Sequence, residues 1–361
     1  MKNAVDVVNH DLTEICNSLT EEFTALEGKR MLITGGAGFL GYYLVQAILH
    51  WNKTKQSHVH LTVYDNYMLG MPDWLKQLEN EPHLTLVEHD VTHLMPDDAG
   101  NFDYIIHGAS IASPPFYRKY PIETIDANVN GLRHILNYAR EQQETHPVEG
   151  ILFFSTSEIY GDPSSEHIPT PETYNGNVSC TGPRACYDES KRVCETLCVN
   201  FAQQHNLPIT IVRPFNNYGP GLKANDGRVT ADFATNILNN EDIVLLSDGS
   251  PTRTFCYLSD AVIGYYKVLF KGRYGEAYNI GVETPEISML QLAEKMRDIA
   301  KDLFGYQGNV IKKVSEDKHY LTDNPNRRCP IIQKAQSELG FHPQISLEEG
   351  LKRSLIWYQG N

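Results

Sequence analysis

No apolar stretch in these 361 residues is long enough to cross a bilayer as a helix, which takes roughly twenty residues. The first 28 residues also lack the basic start and short apolar run of a secretory signal peptide. Positive charge is scarce: 31 Lys and Arg stand against 45 Asp and Glu, a formal net charge of −14. That balance argues against nucleic acid or an anionic membrane as partner, because both are bound through an excess of Lys and Arg. Cysteine is sparse, odd in number and without metal-ligand spacing, at Cys16, Cys180, Cys186, Cys194, Cys198, Cys256 and Cys329. A disulfide framework and a metal site are therefore not expected, and a reduced, cytoplasmic setting is. Cys194 and Cys198, one helical turn apart, read as small core residues. Repeats and low-complexity tracts are missing as well.

What is present suffices for a large core, since 41% of the residues are hydrophobic. The length exceeds what one pair of packed layers usually carries, so a core domain plus a smaller one is expected. Residues Arg30 to Thr34 form a short apolar run of strand type, followed at once by Gly35-Gly36-Ala37-Gly38-Phe39-Leu40-Gly41 and a helical pattern from Tyr42 to Trp51. Strand, glycine turn and helix is the context of a dinucleotide-binding fingerprint. Gly35 permits the tight turn, Gly38 a close backbone approach to a pyrophosphate, and Gly41 close helix packing, while the helix N-terminus offers N–H donors to phosphates.

Further strand ends carry polar residues in register with that turn. His60 to Tyr64 leads into Asp65-Asn66, where a carboxylate can accept from both ribose hydroxyls and repel a 2′-phosphate, favouring NAD over NADP. Leu84 to Glu88 leads to Asp90-Val91, suited to an adenine edge, and Tyr104 to His107 opens into Gly108-Ala109-Ser110. Solvated loop carboxylates are the plain alternative for Asp65 and Asp90. Their collection on one sheet edge favours a ligand, because open parallel sheets bind at the carboxyl ends of their strands.

Tyr187 and Lys191 lie four residues apart at the start of a helical pattern, which puts both on one face. An ammonium beside a phenol favours the phenolate, and a cationic nicotinamide ring would push the same way, so Tyr187 is a candidate base. Alone, the pair equally describes a half-buried aromatic next to a solvated lysine. The glycine turn decides between the two readings.

Strands and helices continue to alternate: helix from Ile122 to Glu141, strand Gly150 to Ser155, helix Tyr187 to His205, strand Ile209 to Pro214, helix Gly227 to Leu238. Strands at Ile243 to Leu246, Thr252 to Leu258 and Ala277 to Ile280 follow, with helices at Asp260 to Leu269, Ser288 to Leu303 and Leu347 to Tyr358. The expected architecture is α/β, a doubly wound parallel (Rossmann) sheet with a smaller C-terminal α/β substrate lobe. Residues 1–28 read as an amphipathic helical extension, 29–216 as the dinucleotide domain with 239–270 returning to it, and 217–238 with 271–361 as the lobe.

Several motifs carry a family resemblance. Thr34 to Gly41, Asp65-Asn66, Ser155 to Pro163, Tyr187 with Lys191, Arg213 to Pro220 and Thr252 to Phe255 resemble the extended short-chain dehydrogenase/reductases that act on nucleotide sugars. Ala112 to Pro115, Gly182 to Glu189 and Asn225 to Val229 are most similar to the UDP-glucuronate decarboxylase (UDP-xylose synthase) group of that family. Family 4,6-dehydratases carry an Asp-Glu pair where this chain has Ser157-Glu158, and 4-epimerases usually have small or hydroxyl residues at both positions. The stretch Tyr67 to Trp74 departs from the decarboxylases, which continue there with a basic segment and a glutamate.

The resemblance implies a homodimer through the helices near Ile122 and Tyr187, a nucleotide-sugar substrate, UDP-linked, and NAD as a cofactor that ends unchanged. It places Tyr187, Lys191, Thr156, Ser157 and Glu158 at the reaction. NAD is expected at Gly35, Gly38, Phe39, Leu40, Gly41, Asp65, Asn66, Asp90, Val91, Ala109, Tyr187 and Lys191, and substrate at Ser113, Arg184, Asn217, Arg228 and Arg253. Tyr187 would take the proton of the sugar C4 hydroxyl, with Thr156 or Ser155 bonding the same oxygen, and loss of CO2 would follow from the 4-ketosugar. A 4-epimerase, a 4,6-dehydratase, a C4 oxidase and a non-catalytic NAD-binding protein on the same fold remain alternatives.

Overall fold

In the computed structural model, which describes residues 1–224, 226–313, 322 and 324–361, seven parallel strands form one central sheet. They are β1 (Arg30–Thr34), β2 (His60–Asp65), β3 (Leu84–Glu88), β4 (Tyr104–His107), β5 (Gly150–Phe154), β6 (Ile209–Pro214) and β7 (Ala277–Ile280), in spatial order β7-β6-β5-β4-β1-β2-β3. β4 and β5 are buried throughout and carry no alternation, as expected of strands covered by helices on both faces. The order reverses beside β1, so the loops leaving β1 and β4 diverge and open a crevice above the sheet.

Two differences from the sequence reading concern the lobe. β7, expected outside the sheet, pairs with β6 from Ala277↔Ile211 to Ile280↔Pro214. Ile243–Leu245, expected to return to the dinucleotide domain, instead pairs with Val310–Lys312 beyond it. Both changes rest on pairings between segments distant in sequence, which local periodicity does not report. The lobe also contains Thr252–Arg253 between Ile287–Ser288 and Arg327–Arg328. The apparent strand from Thr252 to Leu258 is broken into Thr252–Arg253 and Cys256–Tyr257, and the latter pairs with Asn217–Tyr218.

The long helix expected from Ile122 to Glu141 divides into Pro121–Ile125, a wider turn at Asp126–Asn130 and Gly131–Gln142. Gly131 sits where a Cβ would lie 2.7 Å from Val91, so the element must pass close to the end of β3. The N-terminal extension is two helices, Ala4–Ser18 and Thr20–Thr24, whose apolar residues Val7, Leu12, Ile15, Cys16 and Phe23 are buried. Leu12, Ile15, Cys16 and Phe23 join the principal core together with Trp51, Tyr266 and Leu355.

Candidate functional site

A cavity of about 1840 Å3 runs over the carboxyl edge of the sheet, from Asn66 and Asp90 past the glycine turn to Tyr187 and on to Phe233, Leu245 and Met289 in the lobe. Pockets for one small molecule usually occupy about 300–1,000 Å3, so this one has room for two ligands end to end.

The glycine turn forms its floor. Gly35 has φ +73°, and a Cβ there would lie 2.6 Å from the Ala109 backbone; at Gly41 it would lie 2.1 Å from the Gly36 carbonyl oxygen. Only glycine lets β1, the turn and the following helix (Gly41–Lys55) close on one another this tightly. Phe39, Leu40, Gly38 and Ala109 all line the cavity. Thr34 Oγ1 bonds His107 Nδ1 at 2.8 Å and accepts from Ala109 N–H at 3.4 Å, tying the β1 and β4 loops together. His107 is fully enclosed, and burial and then the nearby Lys191 charge push its imidazole down to about 3, so it is neutral.

The carboxylates at the far strand ends are partly engaged by the chain itself. Asp65 accepts from Ala37 N–H at 3.0 Å and Tyr67 N–H at 2.9 Å, which braces the glycine turn, while burial raises its pKa above the usual carboxylate range. Asp90 accepts from Asn66 at 3.0 Å and from Thr92. Against its partial burial, these hydrogen bonds keep Asp90 below the ordinary range. Ser110, which also lines the cavity, has a buried hydroxyl without a protein partner. A backbone cradle at a helix N-terminus, a carboxylate at the tip of β2 and an unspent hydroxyl together fit an extended dinucleotide.

At the other end of the turn, the helix Ala185–His205 presents Tyr187 and Lys191, both buried. Lys191 Nζ donates to the Phe154 carbonyl at 2.8 Å and lies 5.9 Å from the Tyr187 ring centroid. Its complete burial pushes its pKa down to about 8. The expected depression of Tyr187 is not what the chain alone produces. Burial raises its phenol to about 12; Thr156 and Arg228 act against this, while Glu158 and Asp188 reinforce it. The charge that would favour a phenolate must therefore come largely from a bound cation. Tyr117 stacks on Tyr187 at 5.2 Å and 11°, fixing the ring plane.

Ser155, Thr156 and Ser157 all line the cavity beside Tyr187, but the Ser155 hydroxyl donates to Glu195 at 2.5 Å. Glu195 also takes both arms of Arg213 at 2.9 and 2.6 Å. Ser155 is thus tied into the polar layer joining β5 and β6 to the helix, while the Thr156 hydroxyl accepts from Glu158 N–H at 3.2 Å and lies against Tyr187.

Glu158 is enclosed among arginines. Arg184 and Arg328 both donate to Oε2, the latter at 2.5 Å, and Arg253 adds its charge. Burial alone would neutralise Glu158, but Arg184, Arg328 and then Arg253 hold it below the usual carboxylate range. Arg253 donates only to the carbonyl-type oxygens of Thr252, Asn324, Pro325 and Asn326; among the described residues no carboxylate salt-bridges it. Burial and the neighbouring Arg328 press its pKa below the ordinary guanidinium range. The three guanidinium groups thus exceed the charge of Glu158, and an anion placed against them would be stabilised.

The remaining expected substrate contacts are distributed along the cavity. Asn217 donates to Tyr265 and keeps its carbonyl oxygen unpartnered. Arg228 pairs with Asp226 at 3.2 Å and lies 5.3 Å over the ring of Phe39 in the glycine turn. Ser113 donates to the Asp226 carbonyl at 2.7 Å, fastening the lobe to the β4 loop. Asn225, within the same motif, lies outside the described residues. Among the described residues, no group of three or more His, Cys, Asp or Glu could hold a metal. Arg328, Tyr117 and Asp188 were missed in the sequence. Asp188 adjoins Tyr187 and could have been noticed, but Arg328 reaches the site only through its parallel pairing with Arg253.

A family model described as the NAD dependent epimerase/dehydratase family matches residues 31–281. UDP-glucuronic acid decarboxylase 6 of Arabidopsis thaliana is 39% identical over 322 residues, covering 89% of this chain and 86% of that protein. UDP-glucuronic acid decarboxylase 1 of Xenopus tropicalis is 35% identical, covering 99% and 81% respectively. Among solved structures, DesIV of Streptomyces venezuelae, a dTDP-glucose 4,6-dehydratase with NAD bound, superposes with a TM-score of 0.78 at 26% identity, over 92% of this chain and 97% of that one. A UDP-glucose 4-epimerase of Thermotoga maritima with UDP-glucose gives 0.75 at 25% identity, over 91% and 98%.

Proposed function

Because the chain belongs to the NAD dependent epimerase/dehydratase family, we propose that it oxidises a nucleotide sugar at C4 and decarboxylates UDP-glucuronate to UDP-xylose. The observation that carries this reading is the surplus of guanidinium around Glu158, next to Tyr187 and Thr156 in one cavity. A sugar carboxylate is the anion that such a pocket would take. Ser157 cannot serve as the acid that a dehydratase needs to expel a C6 hydroxyl, and the decarboxylase relatives point the same way.

The glycine turn, Asp65, Asn66, Asp90, Val91, Ala109 and Lys191 would hold NAD. When bound, NAD supplies the acceptor and donor for the hydrogen on C4, and its cationic ring supplies charge that the protein alone does not give Tyr187. Tyr187 receives the proton of the C4 hydroxyl, and Thr156 steadies that oxygen. Once C4 is a ketone it lies β to the carboxylate, so the bond to the carboxyl carbon breaks, CO2 leaves and the electron pair spreads onto O4. Tyr187 and Thr156 stabilise that oxygen. A water in exchange with solvent, oriented by the ionised Glu158, would deliver the proton to C5, and Tyr187 returns its proton to O4 as C4 is reduced.

Arg328 and Arg253 grip the sugar acid. Asn217 and Arg228 reach the sugar and diphosphate further along. A homodimer through the faces that carry the exposed Ile122, Ile125 and Val193 is part of this reading. So is a cytoplasmic setting, which all seven cysteines being free supports. The test is incubation with NAD and UDP-glucuronate, following CO2 and product mass. Loss of carbon dioxide with formation of a UDP-pentose supports the reading; mass-neutral inversion or loss of water would replace it with an epimerase or dehydratase.

A further inference from the structure

Asp188 follows Tyr187 on the same helix, is 4% exposed and does not line the cavity. Its Oδ2 is 3.5 Å from Arg184 Nε, while the other arm of Arg184 is on Glu158. One guanidinium therefore bridges two carboxyl groups, and Asp188 Oδ1 is buried with no protein partner. We propose that Asp188 is a positioning residue acting through Arg184: as a neutral acid it leaves Arg184 to Glu158 and to an incoming sugar carboxylate, and as an anion it draws Arg184 back and adds negative charge beside the pocket. The proposal rests on the reading that this pocket takes a sugar acid.

Among the described residues, Glu158 faces Asp188 from the short turn Ser157–Tyr160, Arg328 from the lobe, Tyr117 from the helix Pro114–Lys119, Cys186 and Tyr187 from its own helix, and Arg184 from the cap of that helix. Burial and then Glu158 push its pKa up, the two arginines pull it down, and the result is about 7. The buried Oδ1 with no protein partner is the geometric counterpart of that burial, since an unpaired buried oxygen favours the neutral form. Asp188 thus changes charge near neutrality, and a carboxylate-bearing sugar should be held less firmly on the alkaline side. Ionised Asp188 would also work against a phenolate at Tyr187, since both would be negative on adjacent residues.

The test separates sugar-acid binding from the state of Asp188. Binding of UDP-glucuronate and of UDP-xylose, which lacks the carboxylate, is measured by calorimetry on the NAD-loaded Tyr187→Phe enzyme from pH 6 to 8.5, with and without Asp188→Asn. The expected result is about tenfold weaker UDP-glucuronate binding at the alkaline end, the effect of one added like charge, with UDP-xylose little changed and the slope abolished by Asp188→Asn. A slope that persists in Asp188→Asn overturns the proposal.

Infrared difference spectra of sugar-free enzyme provide a readout independent of substrate identity. A carboxylic-acid band present at pH 6, lost by pH 8.5 and missing in Asp188→Asn supports the proposal, and no such band at pH 6 overturns it. Should Asp188→Asn not fold, Arg184→Gln serves: removing the guanidinium should carry the band to higher pH, and an unmoved band overturns the coupling. Absence of CO2 release alongside the expected slope and band would overturn the decarboxylase reading and leave the role of Asp188 standing.

Discussion

Lys191 Nζ donates to the backbone oxygen of Phe154 at 2.8 Å, so the last residue of β5 holds the ammonium inside the sheet edge, with no carboxylate salt-bridged to it among the described residues. Burial lowers this lysine to about 8, below its unfolded value near 10.4. Between those two values the unfolded chain binds the extra proton, so stability contributed by this group rises with pH across roughly 8 to 10. Lys191→Met should remove that rise in cofactor-free melts recorded at pH 7 and 10. It should also abolish turnover. A wild-type-like pH dependence in the variant would show that Lys191 is not the buried cation described.

Tyr187→Phe keeps the ring, its stacking on Tyr117 and the packing of the helix, and removes only the hydroxyl beside Thr156. Loss of a general base typically costs about 10²–10⁴-fold in rate. The expected variant binds NAD normally, as read by cofactor retained through gel filtration, and releases CO2 from UDP-glucuronate at least a hundredfold more slowly. Near-normal release would remove Tyr187 from the mechanism.

Much of this site could be read from consecutive residues. The glycine turn, Asp65, Tyr187 and Lys191 announce themselves by short-range spacing, because each lies within one turn of chain or at the tip of one strand. The sheet followed from the same alternation. What stayed hidden depends on contacts between distant segments: Arg328 enters beside Arg253 only because a two-residue strand pairs with Thr252–Arg253. β7 joins the sheet only because β6 offers a free edge. The raised pKa of Tyr187 was missed for a related reason. The spacing shows an ammonium nearby, while the burial that outweighs it is a property of the assembled core.

Gly41 tests the cradle directly. A methyl group there would meet the Gly36 carbonyl oxygen at 2.1 Å and its carbonyl carbon at 2.6 Å, both backbone atoms that cannot swing aside. Gly41→Ala should therefore push the helix away from the turn and weaken NAD binding by at least tenfold in a fluorescence titration. Gly28→Ala is the comparison, since nothing lies within 4 Å of its Cβ position; its φ of +71° carries a local strain cost, but the cradle is untouched. Equal NAD affinity in the two variants would argue that the turn is not where the dinucleotide lies.

The N-terminal helix reaches the cavity through a buried polar hub. Asp11, fully buried, accepts from Tyr43 and Tyr257 at 2.6 Å on one oxygen and from Arg353 at 2.6 Å on the other. Arg353 also binds Glu14 and Glu349 at 2.8 Å, so the hub clamps the last helix, Leu347–Gln359, against the first. That last helix carries Trp357, which lines the cavity and donates to the Tyr42 hydroxyl at 3.1 Å, directly after the glycine turn. Asp11→Ala leaves two buried phenols without their acceptor and Arg353 with only Glu14 and Glu349, and leaving buried polar groups unsatisfied costs about 1–3 kcal/mol each. The expected outcome in urea unfolding is a loss of that size, accompanied by weaker NAD retention because Tyr42 and Trp357 lose their brace. Replacing all the buried polar members together, Asp11→Leu with Tyr43→Phe and Tyr257→Phe, should recover much of the stability, since no buried hydroxyl is then left without an acceptor and Arg353 keeps Glu14 and Glu349. A single variant with unchanged stability would mean that the first helix contributes apolar packing alone.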